Sequence, residues 1–478
     1  MGENLTVSIL AGLGVFYLLV MLLNVGFAAY QHYVRKDRTQ TLIWTGVSGL
    51  FLIFSIIYFV GAARLSAAES QLTSAEDKLN KLEDNPPVAG DKVADAEQEV
   101  TAAQEHLEKT QGSLWWMVMP HFVRDSIDWL MGPVTYFVLS VLLFVAFLWF
   151  RRYLVDPLVA WSILAFGLFF SGWAVTDPNF RLIVTKEDNV PIVLLIFTVG
   201  FFTWLAFRKG VLNDERLARG EPPAEKAEED KVLVWPDLVY TELIAMIVMT
   251  FVLVIWAVLL KAPLEQPASS AKAPNPSKAP WYFLGLQEML VYYDPWMAGV
   301  VLPTFIVVGL MALPYIDFNQ KGNGYFTFTQ RKFAITTFLF GFVVLWCTLI
   351  VLGTFLRGPN WNFFGPFEAW DPHKVLPLNN INLSDYFWLT LGVVFEEGKG
   401  WYIRELPGIV LVLAYLFLLP PLLARTIMRP FFVKMGFIRF FLLVNLLQFM
   451  AALPIKMVLR WTINLKYIVY IPEYFFNI

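Results

Sequence analysis

Ten long apolar segments, separated by more polar links, dominate the chain. Each is long enough to cross roughly 30 Å of hydrocarbon as a helix. They cover residues 7–30, 41–64, 132–150, 154–176, 190–208, 238–261, 296–316, 332–356, 405–427 and 436–458. The pattern predicts an all-α polytopic membrane protein with about ten transmembrane helices.

Five of the links are rich in lysine and arginine. They are residues 31–40, 151–153, 208–236, 317–332 and 425–436. All five fall on one side of the membrane if both termini lie on the other side, and basic links favour the cytoplasmic side. We therefore expect a multi-pass protein of a bacterial cytoplasmic (inner) membrane, with both termini in the periplasm.

Residues 65–110 show a different periodicity, with apolar positions repeating every seven residues on either side of Asn85-Pro86-Pro87, which breaks the helix. The stripe positions are Leu65, Ala68, Leu72, Ala75, Leu79 and Leu82 before the break, and Val93, Ala96, Val100, Ala103 and Leu107 after it. This spacing, with one stripe largely alanine, predicts a closely packed antiparallel helical hairpin outside the membrane. We interpret the hairpin as a spacer or docking arm, because no residue in it supports a catalytic role.

Composition shifts divide the chain into seven parts. They are two transmembrane helices (1–64), the periplasmic hairpin with an interfacial helix (65–131), three transmembrane helices (132–210), a charged cytoplasmic linker (211–234), a central group of helices (235–357), a periplasmic aromatic loop with an interfacial segment (358–403), and two C-terminal transmembrane helices with an outer tail (404–478). Tyr386–Glu397 is apolar but too short to span, so we assign it to the interface or to a re-entrant segment. The three Phe and two Trp within Asn360–Asn380 suggest that this loop is buried against another protein.

The composition agrees with a membrane protein. Hydrophobic residues make up 57% of the chain and charged residues only 16%, a balance that excludes a soluble globular domain. Cys347 is the one cysteine, which excludes a disulfide framework and a CxxCH haem attachment.

A Pro-rich stretch between two apolar segments carries the strongest functional signal. Pro274, Pro276 and Pro280 cannot continue a helix, so a new short helix is expected to begin at Trp281. It is too short to cross a bilayer and is expected to lie along the periplasmic face of the membrane.

At this point the sequence resembles the C-terminal half of cytochrome b, or the subunit IV that replaces it in bc-type quinol:cytochrome c oxidoreductases with a split cytochrome b. In that family a Pro-Glu-Trp-Tyr tetrad opens the short helix that walls the quinol-oxidation site. This chain has Ala279-Pro280-Trp281-Tyr282 and lacks the tetrad's glutamate. Trp235–Tyr240 is similar to the segment that leads subunit IV into its first helix, and the resemblance covers about 235–357.

The histidines indicate that haem must be bound elsewhere. Two b haems need paired histidines inside facing helices. The four histidines, His32, His106, His121 and His373, all lie outside the predicted spans. The resemblance therefore implies a separate haem b-containing cytochrome b subunit, a Rieske-type iron–sulfur protein and a c-type cytochrome as partners, with no metal ligated by this chain. It also implies menaquinol or ubiquinol as substrate, a lipid environment and a dimeric complex. We find no nucleic-acid-binding patch.

Four of the five candidate quinol-binding residues belong to this short helix and its first turn, and the fifth is Asp237. The resemblance assigns Pro280, Trp281 and Tyr282 to the pocket wall, although the two aromatics could equally anchor the helix at the membrane interface. Glu288 lies seven residues after Trp281, near the same helical line. It is the candidate catalytic base in place of the missing glutamate, and the alternative is a solvent-facing residue of an amphipathic helix.

Two further acids stand at the start of the 238–261 span. Asp237 has the place of an acidic residue near the family's quinone-reduction site, but a helix N-terminal acid needs no further explanation. Glu242 lies about one turn further in, where ionisable residues are costly. It could belong to a proton path or pair with a charge at an interface.

The sequence thus favours a non-haem membrane subunit of a quinol:cytochrome c oxidoreductase, a proton-translocating electron-transport complex of a respiratory or photosynthetic chain. A non-catalytic scaffold that kept the fold after losing the glutamate is the first alternative. A transporter or ion-translocating subunit is the second, and the few intramembrane charges and the lack of an evident inverted repeat argue against it.

Overall fold

Helices form nearly all of the regular structure in the computed structural model, which describes residues 5–83, 90–227, 231–260, 264, 267–322, 324–376, 379–394 and 400–478. The predicted all-α polytopic fold class is confirmed. Within these residues nine single helices are long and apolar enough to cross a membrane, and a bent pair is a tenth candidate. Each coincides with one of the ten apolar segments.

The α-helices are α1 (Val7–Tyr30), α2 (Arg38–Glu83), α3 (Gly90–Ser113), α4 (His121–Leu130), α5 (Pro133–Trp149), α6 (Arg151–Leu154), α7 (Pro157–Ala174), α8 (Pro178–Val184), α9 (Val190–Ala218), α10 (Ala224–Ala227), α11 (Val239–Leu259), α12 (Trp281–Met289), α13 (Leu302–Ile316), α14 (Phe328–Leu339), α15 (Cys347–Val351), α16 (Leu383–Thr390), α17 (Trp401–Arg404), α18 (Leu406–Leu413), α19 (Leu419–Arg425) and α20 (Arg429–Ile463). Turns of π-helix occur at Gln31–Arg35, Val234–Leu238, Met297–Val301, Phe340–Trp346, Leu352–Leu356 and Ala414–Leu418, and 3₁₀ turns occur at Trp115–Met117, Pro359–Trp361 and Pro472–Tyr474. Two short strands, β1 (Tyr470–Ile471) and β2 (Phe476–Asn477), pair antiparallel near the C-terminus.

The bent pair is α4 and α5, whose axes differ by 78°. Gly132 forms the turn, and Pro133 at the first position of α5 has a φ already suited to a new helix. The bend separates a short amphipathic helix from a candidate span. That this helix lies at the membrane interface stays a prediction.

The contacts group the chain into two compact units. The first comprises residues 1–128, 156–186 and 366–369, and the second comprises residues 129–155, 187–365 and 370–478. In the first unit, α1, α2 and α7 share a core around Tyr17, whose ring stacks on Tyr58 at a centroid distance of 5.4 Å. The Tyr17 hydroxyl donates to the carbonyl oxygen of Phe169 at 3.0 Å, so this deep polar group has a partner.

The helical hairpin is present as α2 and α3, which pack along each other. α2 runs without a break from the second span into the first arm of the hairpin. All eleven stripe positions are buried or half-buried, with Leu65 and Ala68 fully covered. Lys78 on α2 pairs with Glu99 on α3 at 2.6 Å. The predicted break at Asn85-Pro86-Pro87 lies outside the described residues.

In the second unit, α12 lies against the end of the span that runs from Phe328 to Leu356. It contacts α15 and the following π-helical turn. Gly353 on that turn allows the close approach, because a Cβ there would lie 3.1 Å from the carbonyl oxygen of Leu284. The C-terminal tail, residues 464–478, packs against α16 and α18 of the same unit. The amide of Leu383 in α16 donates to the carbonyl of Tyr467 in the tail at 2.9 Å.

Candidate functional site

The short helix α12 begins where the sequence predicted. Pro280 is the residue before its first turn, with φ −52° and ψ 147°, and its carbonyl accepts the amide of Phe283 at 2.8 Å. Gln287, near the end of the helix, ties the preceding loop to it. Its side-chain oxygen accepts the amide of Ala279 at 2.8 Å, and its side-chain nitrogen donates to the carbonyl of Ser277 at 2.9 Å. The Pro-rich loop therefore has a fixed conformation next to α12.

The helix has one buried and one exposed face. The buried face consists of Leu284, Gly285, Glu288 and Met289. The exposed side consists of consecutive aromatics: Trp281, Tyr282 and Phe283 leave 37%, 52% and 51% of their surfaces uncovered. The rings of Trp281 and Tyr282 meet edge to face at 5.7 Å. Any pocket that uses these two rings as a wall must therefore be closed by something other than the contacts described for this chain.

Glu288 is completely buried, so the solvent-facing alternative is wrong. Its carboxylate accepts four hydrogen bonds. The guanidinium of Arg357 supplies two of them, from Nη2 to Oε1 at 2.7 Å and from Nε to Oε2 at 2.9 Å. The hydroxyl of Tyr292 donates to Oε1 at 2.8 Å, and the indole Nε1 of Trp361 donates to Oε2 at 3.2 Å.

Arg357 is the cation of this network and is itself 6% exposed. Its Nη1 donates to the carbonyl of Trp361 at 2.8 Å, and its guanidinium lies 3.9 Å from the centre of the Phe363 ring. Burial opposes the charge, but the Glu288 carboxylate outweighs that effect and raises the pKa of Arg357 above its usual value. The arginine is therefore a permanent cation next to Glu288.

Tyr292 completes the same network. Its burial, followed by the neighbouring Glu288 carboxylate, raises the pKa of the tyrosine well above its usual value. The hydroxyl is therefore held as a donor. A carboxylate offers about four lone-pair directions, and in Glu288 all four are used. The network can join α12 firmly to the segment that follows Leu356, but a ligand could hydrogen-bond to Glu288 only by displacing one of these donors.

The aromatic loop is folded differently from the expectation. Phe364 and Phe367 are buried within this chain rather than left for another protein. Lys374 holds the loop back on itself, because its ammonium group donates to the carbonyl of Phe363 at 2.9 Å and lies 4.3 Å from the centre of the Phe364 ring. Of the three Phe and two Trp side chains in this loop, Trp370 has the largest exposed fraction, at 38%.

Asp237 is exposed in the π-helical turn that precedes α11. The whole of α11, about 30 Å of helix, lies between it and the loop that leads to α12. The structure therefore brings Glu288 together with residues after the span 328–356, but does not bring Asp237 to the same site. Among the described residues, no group of three or more His, Cys, Asp or Glu side chains is arranged to hold a metal ion.

Three members of the Glu288 network were missed in the sequence. Tyr292 could have been found, because it lies four residues after Glu288. Arg357 gives a weaker signal as the first charged residue after the apolar span, and it is 69 residues from its partner. Trp361 gives no signal that separates it from the other tryptophans of the loop.

Residues 267–365 match the family model for cytochrome b (C-terminal)/b6/petD. These residues are similar to the C-terminal part of cytochrome b, and we call them the cytochrome b segment. The suspected family is confirmed for these residues, and the matched segment includes α12, Glu288, Arg357 and Trp361. It leaves out the Trp235–Tyr240 similarity. No solved structure matches the chain.

The cytochrome b segment supports a multi-pass membrane subunit of a bc-type complex that contains other subunits. It also connects the chain to electron transport and to a family that interacts with quinones.

Proposed function

We propose that this chain is a membrane subunit of a quinol:cytochrome c oxidoreductase and forms one wall of its quinol-oxidation pocket, next to a separate haem b subunit. The observation that carries the proposal is the short helix α12. It lies in the cytochrome b segment and begins with Trp281 and Tyr282 directly after Pro280. Both aromatic rings lie on a side that the chain itself leaves open.

Oxidation of a quinol removes two electrons and two protons, and needs a largely apolar pocket with a few placed polar groups. Trp281 and Tyr282 supply apolar ring surface, and the Tyr282 hydroxyl supplies a hydrogen-bonding group. In the proposal, the electron acceptors are a haem b and an iron–sulfur centre on partner chains. This chain binds and orients the quinol ring and excludes water on one side.

Glu288 has two possible roles in the proposed site. As a positioning residue it would hold α12 at a fixed angle through Arg357. As a catalytic base it would accept a quinol proton after a donor such as the Tyr292 hydroxyl moves away. The four hydrogen bonds favour the positioning role. Glu288→Gln separates the two, because a lost base lowers kcat and alters its pH profile, whereas a lost anchor alters KM and inhibitor affinity as well.

The remaining parts of the proposal follow from the resemblance. Asp237 would lie near the quinone-reduction side, at the opposite end of its span. The partners would be a cytochrome b subunit, a Rieske-type iron–sulfur protein and a c-type cytochrome in a dimeric complex. The complex would lie in a bacterial cytoplasmic membrane with both termini of this chain in the periplasm.

The test is quinol oxidation by the purified complex, with haem staining of its chains. We expect Trp281→Ala and Tyr282→Phe to raise KM for quinol and to weaken inhibitors of quinol oxidation by about tenfold or more, roughly the effect of one lost contact of 1.4 kcal/mol. A matched control is present in the same chain. Trp401 and Tyr402 also open a helix, with rings 6.0 Å apart and an interplanar angle of 83°, compared with 84° for the first pair.

Trp401→Ala and Tyr402→Phe are expected to leave quinol oxidation and inhibitor affinity unchanged. Equal effects of the two pairs would contradict the proposal, and so would a purified complex without haem.

The second candidate function is a non-catalytic scaffold subunit of the same kind of complex. One observation favours it: the acid nearest to the aromatic pair on α12 is fully engaged by this chain's own residues. A scaffold predicts that Trp281→Ala leaves both KM and inhibitor affinity unaltered while the complex still oxidises quinol.

A further inference from the structure

The helix α11, together with the turn that precedes it, has no buried residue along its length. Val234–Leu259 is the most hydrophobic of the candidate spans, yet none of its most apolar stretch is buried. Every other single-helix span in the described part of the chain buries at least 11% of the corresponding stretch. Apolar side chains are exposed all round the helix, including Ile244 at 62%, Met249 at 54% and Phe251 at 64%.

Lipid alone would suit such a helix if it carried no charge, but it carries Glu242. Helical backbone starts at Pro236 after the extended Trp235, so Glu242 lies roughly 9 Å along the axis from there. Tryptophan is enriched at the edge of the hydrocarbon, and with Trp235 at that edge Glu242, in the first turn of α11, lies roughly 9 Å inside it. The carboxylate is exposed, and no described residue of this chain donates a hydrogen bond to it.

An acid at this depth rarely faces lipid; it faces a partner group or a water-filled cavity. Residues spaced three and four apart place Glu242, Ala245, Met249 and Leu253 on one face of the helix. Ala245 is small, which allows another helix to approach closely next to the acid. Ile244 and Phe251 lie on the opposite face.

From these observations we infer that the Glu242 face of α11 docks against a transmembrane helix of another polypeptide, and that this helix presents an Arg, Lys or His side chain to the Glu242 carboxylate. We expect a basic group because an opposite charge that also donates a hydrogen bond is the partner that best stabilises a carboxylate away from water. The inference does not rest on the proposed function, since a partner without haem would satisfy it equally.

The first test is photo-cross-linking in membranes that hold the intact complex. The photoreactive residue benzoylphenylalanine replaces Met249 on the Glu242 face or, as the matched control, Phe251 on the opposite face two residues away. The Met249 position is expected to cross-link a different polypeptide, within a transmembrane segment that carries a basic residue. The Phe251 position is expected to give less than a tenth of that product.

Three outcomes of this experiment would overturn the inference. They are cross-links from Met249 to other helices of the same chain, cross-links to a second copy of this chain, and cross-links to lipid only.

The second test is the stability of the association. Glu242→Leu is expected to lower the amount of partner retained per chain by tenfold or more in mild detergent, whereas Phe251→Leu leaves it unchanged. The thermal-unfolding midpoint of the isolated Glu242→Leu chain should not fall, because the substitution removes a charge from an exposed apolar helix. Charge exchange, with Glu242→Arg and the partner's basic residue changed to Glu, should restore retention. Full retention of the partner by Glu242→Leu would overturn the inference.

Discussion

The buried pair of Glu288 and Arg357 is expected to determine whether α12 keeps its place. Glu288 is 0% exposed. Changing Arg357 to Gln removes the cation next to its carboxylate, which then keeps only the hydrogen bonds donated by Tyr292 and Trp361. Breaking a buried ion pair from one side costs about 3–5 kcal/mol, because the remaining charge is uncompensated. Since the network joins α12 to residues that follow the span 328–356, most of that cost should appear as local opening of α12.

The assay is hydrogen–deuterium exchange of the 281–289 peptide in the detergent-solubilised protein. A loss of 3 kcal/mol corresponds to exchange faster by about a hundredfold, since every 1.4 kcal/mol is a factor of ten. The control is Arg331→Gln. Its ion pair with Asp317 is about one-third exposed on both sides, so its loss should cost no more than about 1 kcal/mol.

A double variant, Glu288→Leu with Arg357→Met, should recover part of the loss because no charge remains buried. Recovery is incomplete because the Tyr292 hydroxyl and the Trp361 indole lose their acceptor. The reasoning is refuted if Arg357→Gln and Arg331→Gln change the exchange of this peptide to the same small extent.

Three further predictions test the packing next to α12, at the C-terminal tail and in the helical hairpin. Gln287→Ala should speed amide exchange in the loop before α12 by about tenfold, as two hydrogen bonds to that loop are lost. Gly408→Ala should lower the thermal-unfolding midpoint by several degrees, because the new Cβ would lie 2.0 Å from a backbone oxygen, while Gly299→Ala has free space and should not. Ala68→Leu should destabilise the hairpin by about 1–3 kcal/mol, seen as faster exchange in its two arms, and Ala67→Leu on the exposed side should leave exchange unchanged.

The sequence predicted those parts of the fold whose signals repeat along the chain. The prediction of the ten apolar segments and that of the hairpin each rest on many residues, so one residue that departs from the pattern does not change either prediction. Trp281 was placed correctly at the start of a short helix because three prolines precede it. In each of these cases the structure follows from local rules.

The parts that could not be predicted depend on contacts between distant residues. Nothing near Glu288 indicates that its partner is Arg357, because that pairing exists only when α12 lies against the end of a later span. Contacts between distant residues also explain the aromatic loop, where Phe364 was expected to be buried against another protein. Phe364 is covered in part by Lys374 and Trp370 of the same loop, and composition alone does not reveal these contacts.

The most direct test of the central claim is a structure of the purified complex with an inhibitor of quinol oxidation bound. The account predicts that the inhibitor ring is in van der Waals contact with Trp281 and Tyr282, and that a haem-bearing chain closes the other side of the pocket. An inhibitor bound elsewhere, with the aromatic side of α12 facing lipid or solvent, would contradict it.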